Sequence, residues 1–401
     1  MNQHGNQRQD LICISHLRWD FVWQRPQQLL SRLARHYRVL FVEEPVTDTN
    51  IDKPYLETYP DHTPDAQPVT IVRLHYPSTD HYWIGHNDPR TQPDGERLLL
   101  DYMAREEIHR PVLWLYTPVA APFVQVIQPE LLIYDVMDEL AAFKDAPMEL
   151  KLADRQLLAQ ADLVFTGGAS LYRARQPYHH NIHLFPSGVD IEHFARADRE
   201  AFALPADIAH IASPRLGYFG VIDERMDRTL LAHLAAAHPE WNLVMLGPVI
   251  KIAPEDLPQA PNLHYPGMKD YNELPAYLAH FDVALVPFAM NEATRYLSPT
   301  KTLEYLAAHK PVVSVPIPDI VELYGDFVRI GHTPAEFTAH VEAALATSAT
   351  ERAARRPQET ELLARYTWDN IAEQMYQLID NGYTHKTSAT PHVVPSVLAQ
   401  V

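Results

Sequence analysis

The feature that most constrains this chain is an alternation of short apolar runs with longer amphipathic stretches, carried through twice. The first series has apolar runs at residues 11–14, 39–42, 69–74, 112–116, 131–134, 163–165 and 182–185. Helical patterns lie between several of them, at 24–36, 96–105 and 148–160. In the first, Leu29, Leu30 and Leu33 recur at helical spacing and Pro26 suits a first turn. Near-continuous apolar strands with helices between them predict a mostly parallel sheet covered on both faces.

The strand pattern stops at residues 186–214 and then resumes. The second series has runs at 215–219, 243–246, 262–265, 283–286, 311–315 and 327–330. Its helical patterns are at 227–237, 274–280, 301–308 and 334–345. At roughly 150 residues per domain, 401 residues fit two such units and an extension. Two α/β units joined by a linker leave a cleft between them, a common place for a ligand. Residues 46–68, rich in Asp, Thr and Pro, read as a long surface excursion. After Thr350 come two more helical patterns. The second, 368–378, puts Trp368, Ile371, Met375, Leu378 and Ile379 on one face. Residues 385–401 show no period, and disorder is expected there.

Composition removes several function classes. Lys and Arg total 33 against 51 Asp and Glu, a formal charge of −18. A general nucleic-acid binder needs a basic face to displace counterions. A single cysteine, Cys13, forms no internal disulfide or thiolate metal cluster, so a reducing cytoplasm is expected. No apolar run approaches the ~18 residues of a membrane span, and Met1 to Asp10 is polar, unlike a signal peptide. With 13 glycines, the chain contains neither Gly-x-Gly-x-x-Gly nor Gly-x4-Gly-Lys-Ser/Thr.

The stretch from Val283 to Val313 carries the most chemistry. It reads strand, long loop, helix, strand, with the helix opening at Ser298-Pro299-Thr300-Lys301. Ser298 suits an N-cap and Pro299 a first turn. Free N–H groups at a helix start bind anions, and Lys301 adds a full positive charge. Glu304, one turn on, could accept hydrogen bonds from a ribose diol. That combination suits a nucleotide diphosphate, although a capped core helix with surface charges would read the same.

Here the sequence resembles family 4 glycosyltransferases of the GT-B fold. The segment SPTKTLEYLAAHKPVV, from Ser298 to Val313, is similar to their donor-binding segment. At the front, Ser15-His16-Leu17-Arg18-Trp19-Asp20 with Gln24-Arg25-Pro26-Gln27-Gln28 resembles the first loop and helix of a teichuronic-acid-type subgroup of bacterial envelope and exopolysaccharide transferases. Tyr134-Asp135-Val136-Met137-Asp138-Glu139 and Pro186-Ser187-Gly188-Val189-Asp190 are similar to its N-domain end and hinge. Gly217 to Asp227 resembles its first C-domain strand and loop.

The resemblance implies a GT-B architecture: α/β, two Rossmann-like domains facing a cleft, and a C-terminal helix crossing back to the N-domain. The expected boundaries are 1–190 for an acceptor domain, 205–365 for a donor domain, 367–382 for the crossover helix and 385–401 for the tail. It implies that Glu304 binds the ribose. Gly220, Arg225 and the helix start Ser298, Thr300, Lys301 and Thr302 would hold the diphosphate. Two positions depart from the family pattern. The acid of its Glu-x7-Glu pair would stand at Tyr296, and its helix-terminal Gly is His309.

Charge considerations agree with that reading. Glycosyl transfer leaves a diphosphate with growing negative charge, which positive groups and helix N-termini stabilise. Arg225, Lys301 and the helix start could do this without a metal or other cofactor. Asp135 and Asp138 stand three apart, unlike an Asp-x-Asp metal motif, and neither the pair His179-His180 nor His81 and His86 shows metal-ligand spacing. Loops after strands of an open sheet face the cleft, so His16, Asp20 and Arg25 are candidates for acceptor binding or proton removal. Asp138, with Asp135 and Glu139, poses the same question. Each could equally satisfy local backbone groups or pair locally.

Arg25, Arg32, Arg35 and Arg38 make the first helix locally basic, which suits either a solvated face or contact with anionic lipid. The expected function is transfer of a sugar from a UDP- or GDP-sugar to a glycan or lipid-linked acceptor in bacterial surface polysaccharide synthesis. The expected location is cytoplasmic, peripheral at the inner membrane face if lipid is contacted. A nucleotide-sugar epimerase of the same fold and a non-catalytic nucleotide-sugar-binding protein are the alternatives.

Overall fold

The computed structural model describes residues 8–61, 68–78, 85–142, 146–292 and 294–388, and the elements below are those of these residues. The first series forms β1 (Gln9–Ile14), β2 (Tyr37–Val42), β3 (Val46–Asp48), β4 (Tyr55–Pro60), β5 (Thr70–Pro77), β6 (Val112–Leu115), β7 (Leu131–Val136), β8 (Leu163–Thr166) and β9 (Ile182–Leu184). They make one nine-stranded sheet in the order β3-β5-β2-β1-β6-β7-β8-β9, with β4 added on β5. The β4–β5 pairing is antiparallel and the others are parallel.

Side chains alternate between the faces of a strand, and both faces of this sheet are covered. Leu11 and Cys13 of β1 enter one apolar cluster, while Ile12 and Ile14 enter another on the opposite face. Full burial on both sides is why these strands read as unbroken apolar runs.

The second series forms β10 (Arg215–Phe219), β11 (Asn242–Leu246), β12 (Leu263–Gly267), β13 (Val283–Val286), β14 (Val312–Ser314) and β15 (Arg329–Ile330). They make a six-stranded parallel sheet in the order β12-β11-β10-β13-β14-β15. The chain therefore folds into two Rossmann-like units, the GT-B arrangement expected from the sequence.

The structure departs from the sequence reading in four places. Residues 46–68 are not simply an excursion, because β3 and β4 within them extend the first sheet at its edge. Their residues are only partly buried or exposed, so no apolar run marked them. Residues 186–214 contain a helix, Ile191–Arg199, whose Phe194 and Ala197 pack into the core of the second unit. Helices Ala169–Arg175 and Pro318–Tyr324 were also not anticipated. Finally, the C-terminal helix runs Trp368–Ser388, so residues 385–388 are helical rather than tail, and 389–401 lie outside the described residues.

That last helix returns to the first unit. Trp368, Ile371, Ala372, Met375 and Ile379 join the apolar cluster formed by the first helix, Arg25–Leu33, and one face of the first sheet. The two chain crossings run side by side: Val189 N–H donates to the Tyr366 carbonyl at 2.8 Å, and Val189 bridges Thr367. Among the described residues no helix is long and apolar enough to cross a membrane.

Candidate functional site

A cleft of about 1010 Å³ separates the two units. It opens at the carboxyl ends of the parallel strands, where an open α/β sheet exposes loops and helix starts. Asp20, Asp138, Gly220, Arg225, Ser298, Thr300, Lys301 and Glu304 all line it. The structure thus brings together these eight candidates from the sequence, and Arg25 lines the cleft with them.

The helix Thr300–Ala307 supplies the cationic end of the site. Leu303, Leu306 and Ala307 are buried in the core of the second unit. Lys301 and Glu304, three apart, fall on one face of the helix, and that face lines the cleft. The helix starts one residue later than expected: its N-cap is Pro299, which offers no side-chain hydrogen bond. Ser298 is therefore not the cap. Its side chain stands beside the carboxylate of Asp319 and favours that group's charged form. Thr302 is fully buried, its hydroxyl has no hydrogen-bond partner, and it does not line the cleft.

Glycine geometry makes room for the lysine. Gly220 follows β10 with φ of +140°, and a Cβ there would collide with Lys301 Cε. Only glycine combines that backbone with so close an approach. Arg225, in the loop after β10, lies on the same side and pairs with Asp223 through Nη2–Oδ2 at 2.7 Å and Nε–Oδ1 at 3.0 Å.

The electrostatics of this wall set two cations among several acids. Burial lowers the Lys301 ammonium and nearby Arg225 lowers it further, while Glu304, Asp223 and Asp138 raise it. Burial pushes the Glu304 carboxyl up to about 7 against the opposing charge of Lys301. Two cations thus share a partly desolvated wall, where an incoming anion gains more than it would in water.

The first unit contributes the facing wall. Asp20 is exposed and accepts from the Tyr59 hydroxyl at 3.3 Å. Burial raises the Asp138 carboxyl, and the charges of Arg225, Lys251 and Arg25 lower it. His16 does not line the cleft. It lies partly buried near His86 and Lys251 with its Nδ1 unpartnered, and burial followed by those two charges pushes it down to about 4.

Other candidates from the sequence turn out to be structural. Arg25 is buried and makes two bonds to buried Asp135, Nε–Oδ2 at 3.1 Å and Nη2–Oδ1 at 3.0 Å, and a third to the Phe185 carbonyl at 2.8 Å. Glu139 pairs with Arg175 at 3.0 Å. Buried His86 meets the Ser15 carbonyl at 2.8 Å, and His81 lies outside the described residues. Among the described residues, no three or more His, Cys, Asp or Glu converge as metal ligands.

The basic first helix is largely neutralised within the fold. Arg32 and Arg35 both pair with Asp369 of the C-terminal helix at 3.2 Å. Arg38 lies on β2, not on the helix, and pairs with Asp10.

Sequence reasoning missed the aromatic end of the cleft. Tyr271 stacks on His193 with ring centroids 4.3 Å apart, and the His193 ring also meets the Tyr271 carbonyl at 3.0 Å. Gln28 of the first helix donates to the Tyr271 hydroxyl at 3.3 Å, across the two units. The three residues are distant in sequence, and no local pattern joins them. Tyr296 packs against the core of the first unit instead of presenting an acid to the cleft.

Comparison with known proteins agrees with this architecture. Residues 225–377 match the family described as glycosyl transferase-like. A Bacillus subtilis (strain 168) protein named as a teichuronic acid biosynthesis glycosyltransferase, TuaH, is 28% identical over 136 residues. That match spans 32% of this chain and 34% of the relative, so about a third of the relative's length is covered. Among solved structures, sucrose-phosphate synthase from Thermosynechococcus elongatus superimposes with a TM-score of 0.70 at 17% identity, covering 94% of this chain and 100% of that one. A structure from E. coli described as trehalose-6-phosphate bound with UDP-2-fluoro glucose gives 0.65 at 13% identity, covering 93% and 99%. The fold is GT-B.

Proposed function

We propose that the protein is a glycosyltransferase that moves a sugar from a UDP- or GDP-sugar to a glycan or lipid-linked acceptor in bacterial surface polysaccharide synthesis. The observation that carries this reading is the convergence of Arg225, Lys301 and a helix start beside Glu304 in the interdomain cleft. The match of residues 225–377 to a glycosyl transferase-like family, the family 4-like segment Ser298 to Val313, and the teichuronic acid relative support it.

In this reading the diphosphate lies against the backbone N–H groups at the start of Thr300–Ala307, between Lys301 and Arg225. The Glu304 carboxylate accepts from the ribose hydroxyls. In the reaction the bond from the anomeric carbon to the diphosphate oxygen breaks and charge grows on that oxygen. Lys301 and Arg225 already face that position and need not reorganise to stabilise it. The acceptor hydroxyl forms the new bond to the anomeric carbon and gives up its proton to a carboxylate of the facing wall. Its place on the cleft wall and its burial-raised affinity for a proton support Asp138 in this role. Asp20 is the second candidate. His16 stays off the cleft wall and neutral at pH 7. The enzyme is assigned to the cytoplasm, and a lipid-linked acceptor would approach past Arg32 and Arg35 at the cleft wall.

Incubation with UDP- and GDP-sugars and a glycan acceptor tests the reading. Release of UDP or GDP together with a glycosylated acceptor is expected. An isomerised donor, or tight donor binding with no transfer to any acceptor, would overturn it in favour of an epimerase or a non-catalytic binder.

A further inference from the structure

One fully buried carboxylate joins the two domains without lining the cleft itself. Asp319 lies in the first turn of Pro318–Tyr324, just after β14 of the second unit. It accepts the backbone N–H groups of Ala169 and Ser170, each at 2.9 Å, and the Ser170 hydroxyl at 2.5 Å. Those residues open the helix Ala169–Arg175 of the first unit, whose own N-cap, Gly168, has no side chain to cap it. An acid of one domain therefore caps a helix of the other.

Gly168 is what permits the approach. A Cβ there would collide with Asp319 Oδ2 and come within 2.9 Å of Ser298 Cβ. The Ser298 side chain stands beside the same Asp319 carboxylate and favours its charged form. Ser298 lines the cleft two residues before Thr300. A surface ion pair, Arg173 to Glu322, spans the same junction.

We propose that Asp319 is a positioning residue that couples domain closure to the nucleotide site. Its bonds to Ala169 and Ser170 tie the two domains together in this arrangement, and its contact with Ser298 reaches the start of the helix bearing Lys301 and Glu304. The inference rests on the nucleotide reading above. A cap needed for helix stability alone could come from residue 168 itself. Here it comes from across the junction, so its free energy favours whichever arrangement keeps the two domains in contact there. Coupling of this kind is reciprocal: whatever steadies the donor helix favours closure, and closure favours the ligand.

Domain distance and nucleotide affinity, measured together, test it. Cys13 is the sole cysteine and is buried, so cysteines introduced at exposed Leu152 and Ala339 accept a fluorophore pair selectively. UDP and GDP are the probes. In the parent, nucleotide should shorten the distance between the fluorophores. Asp319→Ala should abolish most of that closure and weaken nucleotide affinity roughly tenfold. Should Asp319→Ala fail to fold, Gly168→Ala breaks the domain arm, Ser170→Ala weakens it by one bond and Ser298→Ala removes the helix arm. Each should then lower affinity, with closure lost in Gly168→Ala and reduced in Ser170→Ala. Nucleotide-driven closure and affinity equal to the parent's in these variants would overturn the coupling alone. A parent that binds neither nucleotide would overturn the nucleotide reading and the coupling with it.

Discussion

Arg25 and Asp135 illustrate how a residue can look catalytic in sequence and be structural in the fold. Arg25 opens the first helix at the cleft and Asp135 lies buried within β7, and their charges are consumed by each other within the first unit. Removing one partner strands the other in a medium that solvates it poorly. Arg25→Ala should therefore destabilise the protein by about 3–5 kcal/mol, read as a lowered urea midpoint. Glu304 is the contrasting case, a half-buried acid without a full counter-charge, held up to about 7. At low pH it is protonated in folded and unfolded chains alike. As pH rises from its ordinary value of 4.5 towards 7, the unfolded chain ionises first, so stability falls across that window and stays lower above it. Glu304→Gln removes this dependence. Its stability relative to the parent should improve by on the order of 2 kcal/mol between about pH 4 and pH 8. Nucleotide affinity of the parent should move the other way, rising through pH 7 as the carboxylate that accepts from the ribose forms.

The helix Thr300–Ala307 shows what was legible at the scale of an element. Lys301 and Glu304 stand three apart, and helical geometry alone puts them on one face. Its start was not legible, because Ser298 stands beside Asp319, a residue 21 positions downstream that only the tertiary fold brings near. Its end carries His309 at φ +52°, where the resemblance expects glycine; the ring compensates with a 2.7 Å bond to Glu359. The loop after β10 is the other half of the element pair. Gly220→Ala would place a methyl group on Lys301 in a backbone region that side chains rarely adopt. Nucleotide affinity should fall at least as far as in Lys301→Ala, by roughly tenfold or more, in calorimetric titration. An unaltered affinity would separate Gly220 from the position of the lysine.

Across the whole molecule, both sheets were legible because their central strands are buried on two faces and so are apolar at every position. β3 and β4 were not, since edge strands with partly exposed residues carry no such run. The Ile191–Arg199 helix was hidden because it lies in a proline-punctuated linker and takes its partner from the second unit's core. The cleft followed from two α/β units. Its aromatic end at Tyr271 and its junction at Asp319 did not, since each joins residues from distant parts of the chain. What unites these observations is one claim: the cleft binds a nucleoside diphosphate on the wall formed by Arg225, Lys301 and Glu304. Calorimetric titration of UDP and GDP into the parent, Lys301→Ala and Glu304→Ala tests it most directly. Saturable binding by the parent to at least one of them is expected, with affinity weakened roughly tenfold or more in each variant. Unchanged affinity in both variants would contradict it.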